Sequence, residues 1–508
     1  MAKRDASTQM ALQQGTNLGH QDHSTPVAPD GATLTDISVG SDGHKLAVYW
    51  TESPSNKKAK QAFVMIHGRN RNGDEYWTTM NNILQSALDD GYASADKNAI
   101  IVAPQFYSKK LNSRQYEEDE LAWADINAWQ AGESAIYPSG TKESSFDALD
   151  AFYDEFSNTS KYPNLEELVY VGHGGGGQLI NRYGIVAKDM SSGSLKVRFV
   201  AGDPSSSAYF TTDRPVTDTS IASKKSCPLY NTWRYGFDDF TGTLDGLKTP
   251  QEYFAQNIVR DVRYIVGRKD TASNGDQYCM ALLQGGVKRR DRNLSWWKYI
   301  NMLARTNEDV SKFPGNFSLS TLPDWSSISN NKISHTLTVI VGATHDAMEV
   351  FGSADGRTVL FEASQSNVAK GWRPKGYKAS GISSTTTSTS AAAKAKSTAS
   401  ISTISQQSSS TSASTAAGTM MREMSNTQEL LKPDVQVKVD IRSSLYVFPP
   451  PSSNSDVSPA SGSRGVEIPP SCPLGDTSHE EDVVTFHPPP SFKMSRSTQC
   501  AVLARSLT

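Results

Sequence analysis

Apolar and polar positions follow a single rhythm between residues 30 and 370, where short β-type runs alternate with helix-length amphipathic segments. Thr33–Val39 and His44–Trp50 read as a leading antiparallel pair, joined by the turn signal Gly40-Ser41-Asp42-Gly43. Six more apolar runs follow: Ala62–Ile66, Ala99–Ala103, Leu168–Val171, Val197–Ala201, Val262–Val266 and Thr336–Val341. Each is bounded at its C-terminal end by Gly, Pro, Asp or His. Continuous apolar runs of this length, separated by helical stretches, are the signature of a parallel sheet buried on both faces. Helices are predicted over Glu75–Asp90, Phe146–Phe156, Gly176–Asp189 and Gln277–Leu303. The pattern predicts an α/β fold: an eight-stranded, mostly parallel sheet with helices on both faces.

Composition marks where that rhythm stops. All nine tryptophans fall between Trp50 and Trp372, and beyond Lys378 the only aromatics are Tyr446, Phe448, Phe486 and Phe492. A segment this poor in large apolar groups cannot bury enough surface to offset the entropy of ordering its backbone. We therefore expect a loose N-terminal segment at 1–30, one large domain at 31–370, and a long disordered C-terminal tail at 371–508. From Ala379 to Thr419 the chain is almost entirely Ser, Thr, Ala and Gly, the composition of a flexible or O-glycosylated stalk. Two triple prolines further on favour extended polyproline II, as docking peptides would, but an unstructured tail is the favoured reading.

Charge and cysteine usage exclude some classes and leave others open. A formal charge of −3 from 50 basic and 53 acidic residues gives no nucleic-acid footprint, and clusters such as Lys288-Arg289-Arg290 read as solvated surface. No apolar run approaches the ~20 residues needed to span a bilayer. The basic start Met1-Ala2-Lys3-Arg4 is followed by polar residues rather than a signal-peptide core, so the default expectation is cytoplasmic. Sequons at Asn158, Asn293 and Asn316 keep the secretory route open. None of the four cysteines shows metal-ligand spacing; Cys227 and Cys279 share the domain, and whether they pair is left open. No cofactor or metal is expected.

In open α/β sheets, ligands bind at the carboxyl ends of the strands, so the residues just after each run carry the most information. After the fifth run comes Val171-Gly172-His173-Gly174-Gly175-Gly176-Gly177-Gln178. Strand, tight glycine turn and helix form the context of the nucleophile elbow G-x-S-x-G, and Gly172 and Gly176 match its flanks. The centre, which should be serine, is Gly174. A phosphate-cradling loop is excluded because no Gly-Lys-Ser/Thr follows. After the third run stands His67-Gly68-Arg69-Asn70, where the backbone N–H of Arg69 would join that of Gly175 in an oxyanion hole. After the seventh run comes Asp270, and after the eighth His345, in the order nucleophile, acid, histidine. In a working site His345 would take the nucleophile's proton and Asp270 would fix its tautomer. Asp203, after the sixth run, is the competing acid.

The segments Phe63–Gly68, Ser144-Ser145-Phe146-Asp147, Leu168–Gln178, Tyr264–Thr271 and Thr344–Phe351 together resemble the α/β-hydrolase superfamily, most of all its fungal esterase- or lipase-like members. The resemblance covers roughly residues 35 to 365 and implies an esterase-like ancestry. It also implies a small cap insert at about 205–260, whose Trp233, Tyr235, Phe237 and Phe240 would shape an acyl pocket or else pack as an ordinary insert. The sequence departs from the family at its centre. Glycine supplies no hydroxyl, and removing the nucleophile of such a triad costs on the order of 10⁶ in rate. The expected reading is a pseudoenzyme or strongly impaired hydrolase that still accommodates a small ester or acyl-like ligand. Two alternatives stand beside it: an ester hydrolase in which His345 activates water, and a binding module tethered by its tail, whose protein partners the sequence does not name. Ser205, Ser206 and Ser207 would reach the elbow only by backbone movement.

Overall fold

The computed structural model describes residues 26–379, apart from Asp125, Ile126 and Ser192. The Ser/Thr-rich run, both triple prolines, and Cys472 and Cys500 lie outside the described residues, as does most of the segment expected at 1–30. The described strands, in chain order, are β1 (Ala32–Val39), β2 (His44–Thr51), β3 (Gln61–Ile66), β4 (Ile100–Pro104), β5 (Tyr107–Ser108), β6 (Ala122–Trp123), β7 (Glu167–His173), β8 (Lys196–Gly202), β9 (Asp261–Gly267) and β10 (His335–Ile340). Eight of them form one sheet in the order β1-β2-β4-β3-β7-β8-β9-β10, while β5 and β6 make a separate two-stranded sheet. The pairs β1–β2 and β2–β4 are antiparallel and the remaining pairs of the large sheet are parallel. This is the α/β-hydrolase fold, with all eight anticipated strands in place.

Strand periodicity sorts the core into two layers. On β3, Phe63 and Met65 face one side of the sheet and Val64 and Ile66 the other, each set joining its own buried cluster. Helix α1 (Gly73–Asp89) covers the first side with Trp77, Met80, Ile83, Leu84 and Ala87, at helical spacing. Helices α2 (Ser145–Phe156) and α3 (Gly175–Val186) cover the second. The start of α2 is fixed by a capping box: the Ser144 hydroxyl accepts from the Asp147 N–H while the Asp147 carboxylate accepts from the Ser144 N–H.

Three expectations need correction. The helix predicted over Gln277–Leu303 is broken, after α4 (Pro250–Asn257), into α5 (Cys279–Leu282) and α6 (Arg289–Ala304). Gly285 and Gly286 lie between them at φ +147° and +87°, backbone that leaves the helical region. The domain also runs past residue 370, because Trp372 bonds to β10 through its N–H and the Val339 carbonyl, and Tyr377 packs against the core. Finally, the Asn293 side chain is buried and donates to the Pro204 and Arg289 carbonyls, so the sequon at 293 presents no accessible amide in the folded chain. Short α7 (Ser326–Ser329), α8 (Ala347–Phe351) and α9 (Ala354–Phe361) escape the sequence reading, the first two being too short to establish a period. Among the described residues no helix is long and apolar enough to cross a membrane.

Cys227 and Cys279 form a disulfide that ties the segment between β8 and β9 to α5, across 52 positions of sequence. Closing a loop of that length removes about 4 kcal/mol of chain entropy from the unfolded state in the simplest treatment. Cys227→Ser is therefore expected to lower the unfolding free energy by about 2–4 kcal/mol in urea. An unchanged midpoint would rule out a stabilising bridge.

Asp150 of α2 accepts a hydrogen bond from the Tyr183 hydroxyl of α3 at 2.6 Å, and burial pushes its carboxyl up to about 7. The folded state thus holds a proton that the unfolded chain releases near pH 4. This group's contribution to stability falls as pH rises from about 4 through 7. Asp150→Asn is expected to raise the denaturation midpoint relative to the native chain at pH 8 and to leave it nearly unchanged at pH 4. Equal effects at both pH values would contradict that sign.

Candidate functional site

Parallel β7 and β8 end side by side, with His173 opposite Gly202 in register. The next residue of each strand therefore opens onto the same crevice. Gly174 turns the chain from β7 into α3 at φ +56° and ψ −106°, a conformation that L side chains rarely adopt. Its flanks show why the turn is so tight. A Cβ at Gly172 would lie 2.2 Å from the Gly176 carbonyl oxygen, and one at Gly176 would lie 2.4 Å from that of Ile66. No side chain fits at either position.

The remaining anticipated residues converge on this turn. Asp270 follows β9, His345 follows β10, and the His345 Nδ1 lies 3.2 Å from the Asp270 Oδ2. The Arg69 amide nitrogen stands against the elbow, 3.2 Å from where a Cβ on Gly175 would sit, and both residues line the crevice. Asp203 makes no contact with His345 of the kind Asp270 makes; its Oδ1 accepts from the Gly267 N–H at 2.9 Å. Ser206 bonds to Gln178, and Ser207 accepts from the Gln284 side chain through its backbone carbonyl. Among the described residues, no hydroxyl or thiol lies within hydrogen-bond distance of the His345 ring.

Electrostatics fix the protonation pattern. Asp270 is buried, which would raise its carboxyl, but hydrogen bonds from His345 and Arg289 outweigh burial and hold it down to about 2. Arg289 grips it with two bonds, Nε to Oδ2 at 3.0 Å and Nη2 to Oδ1 at 2.7 Å. Burial, followed by the neighbouring His173, lowers His345 below the usual imidazole range against the pull of Asp270. A neutral ring donating Nδ1–H to Asp270 leaves the Nε2 lone pair facing Gly174. A Cβ on Gly174 would lie only 3.0 Å from that Nε2, so the imidazole leans into the space a nucleophile would use.

The crevice encloses about 280 Å³ and is lined by polar groups, including Asn127, Gln130, Gln178, Arg234 and Asn274. Several are locked in a chain: Gln178 donates to Gln130, Gln130 to Asn127, and Ser206 to Gln178. The four aromatics expected to shape an acyl pocket do not line it. Trp233 stacks on Phe240 at 4.0 Å and donates its indole N–H to the Ala131 carbonyl, Phe237 packs on Phe210 and Tyr253, and Tyr235 bonds to Asp276. They serve as insert packing. A larger groove of about 970 Å³ runs past Asp36, Trp50, Asp150 and Lys188 and contains no residue of the elbow.

His173 joins the crevice without a role assigned to it from the sequence. It sits at the unassigned position of the elbow motif, yet its ring lies tilted against that of His345 with centroids 4.5 Å apart, and its Nδ1 lies 2.9 Å from the Tyr76 hydroxyl. The signal that could have found it is its place as the last residue of a central strand beside Asp203, which requires knowing that β7 and β8 are neighbours.

No family model and no curated protein matches the chain. Among solved structures it is similar to LpqC, a poly(3-hydroxybutyrate) depolymerase from Bordetella parapertussis, at 15% identity over 66% of this chain and 91% of that one, with a TM-score of 0.41. It is similar to poly(aspartic acid) hydrolase-1 from Sphingomonas sp. KT-1 at 16% identity over 64% and 96%, with a TM-score of 0.42. It is also similar to the siderophore hydrolase EstB from Aspergillus nidulans at 11% identity over 67% and 97%, with a TM-score of 0.32. These are likenesses of fold.

The Asp270–Arg289 pair offers a direct test of the site's architecture. Breaking a buried ion pair from one side strands the other charge, at a cost of about 3–5 kcal/mol. Arg289→Met is expected to lower the unfolding free energy by about 3 kcal/mol in urea at pH 7. A loss below ~1 kcal/mol would show that Asp270 does not depend on that grip.

Proposed function

We propose that this chain is an α/β-hydrolase-fold protein of esterase- or lipase-like ancestry whose serine acyl-transfer chemistry is silent, with the crevice kept as a binding site for a small, polar ester or acyl-like ligand. The observation that carries this reading is the bare elbow. Residue 174 keeps the backbone conformation of a nucleophile position, flanked by the Asp270–His345 pair and two backbone donors, but has no side chain. No acyl-enzyme can form there, and nucleophile loss costs on the order of 10⁶ in rate. Glycine also relieves backbone strain of roughly 1–3 kcal/mol, so the substitution is structurally easy to keep. The polar lining supports a compact polar ligand over a long acyl chain.

A second reading has one observation in its favour. Burial and the neighbouring His173 lower His345 and so favour its neutral form, and its Nε2 faces Gly174, which is the arrangement of a general base for water. Attack by that water, with the oxyanion held by the Arg69 and Gly175 N–H groups, would cleave an ester slowly.

Assays on short p-nitrophenyl esters in the presence of EDTA separate the two. The native chain is expected to match the His345→Ala variant at background. Gly174→Ser is expected to gain at least ~100-fold in ester hydrolysis, lost again in Gly174→Ser/His345→Ala. It is also expected to be about 1–3 kcal/mol less stable, because its Cβ crowds His345 at positive φ. Ready hydrolysis by the native chain that vanishes in His345→Ala would sink the silent-site reading in favour of water activation.

A further inference from the structure

We infer that His173, Asp203 and His345 form a binding site for one divalent transition-metal ion of the zinc class, beside the bare elbow. One ligand atom from each of the three lies within 4.8 Å of the others. His173 and Asp203 are 4% and 0% exposed, and the His173 Nε2 and Asp203 Oδ2 are both buried without a hydrogen-bond partner. They face each other at 3.7 Å, too long for a hydrogen bond. Two ligands of a tetrahedral zinc ion, each about 2.0–2.2 Å from the metal, stand roughly 3.3–3.5 Å apart. Small side-chain rotations therefore bring all three onto one ion. An unsatisfied pair this deep costs free energy unless something occupies the gap, and a cation satisfies both atoms at once.

The surroundings suit a metal site. Ligating histidines commonly hand their other ring nitrogen to a carboxylate or similar acceptor, which sets the tautomer. His345 Nδ1 is held by Asp270 and His173 Nδ1 by the Tyr76 hydroxyl, which leaves the Nε2 of each ring as its ligand atom. In a serine-bearing elbow the hydroxyl would engage the His345 Nε2, whereas glycine leaves that lone pair free. Two imidazoles and one carboxylate form an open three-ligand set that keeps a fourth position for water or a ligand oxygen. The other His-carboxylate cluster, Asp42, His44 and Glu143, is a poorer candidate, since His44 is already bonded to Glu143 and Thr141. The inference holds whether or not the silent-serine reading does.

The test uses the full-length chain, stripped with EDTA, dialysed, and titrated with Zn(II) by calorimetry and with Co(II) by visible absorption. One equivalent of Zn(II) should bind, with Mg(II) unable to compete, and Co(II) should develop visible bands of low-symmetry nitrogen–oxygen coordination. Asp203→Asn keeps the size of the side chain, and His345→Ala alters a ring that is 31% exposed, so both are expected to fold by circular dichroism. Each should weaken Zn(II) by about 100-fold and erase the cobalt bands, while His44→Ala changes neither. If Asp203→Asn fails to fold, His345→Ala decides. Absence of binding by the folded native chain overturns the inference, as does binding that survives both substitutions, which would place the ion on other ligands. Because the ester assays run in EDTA, an inactive Gly174→Ser variant leaves this measurement untouched.

Discussion

The close approach of β7 to α3 through residue 174 sets the terms for the rest of the site. Gly172 lies so near the Gly176 carbonyl, and Gly176 so near that of Ile66, that backbone packs on backbone with no side chain between. The helix can begin immediately after the strand only if residue 174 turns at φ +56°. With that turn in place, the first N–H groups of α3 point into the crevice at the sheet's carboxyl edge, and every residue of α3 is buried behind them. The turn is held by the packing of backbone on backbone and needs no side chain at residue 174.

Around the turn, charge is disposed so that the crevice stays polar without free ions. Asp270 is ionised but gripped by Arg289, and this grip positions the oxygen that accepts from His345. The glutamine chain through Gln130 and Gln178 satisfies its own polar groups and fixes one wall. The aromatic residues of the insert are drawn away into stacking with one another and do not line the crevice. His173 and Asp203 depart from this pattern, each keeping one buried polar atom without a hydrogen-bond partner, as the lining residue Asn72 also does.

Much of the architecture was legible in the chain because the inner strands of the sheet are buried on both faces. That burial forces continuous apolar runs, and all eight runs became strands within two residues at either end. Elements of two to five residues, such as β5, β6, α7 and α8, carry no period to read. The break at Gly285-Gly286 was hidden because the apolar pattern continues across it while the backbone does not. At the site, Gly174, Gly175, Arg69, Asp270 and His345 were legible from their places after strands, where a turn must deliver them to a common edge.

The sequence by itself determined the strand–turn–helix punctuation and the glycine at its centre, because these depend on residues adjacent along the chain. Only the tertiary structure decided which acid meets His345, where the insert's aromatics pack, that Cys227 reaches Cys279, and that His173 and Asp203 confront each other unpaired. Those outcomes depend on strand order and on contacts between distant positions. Local periodicity records which side of an element is buried, but not which neighbour it is buried against.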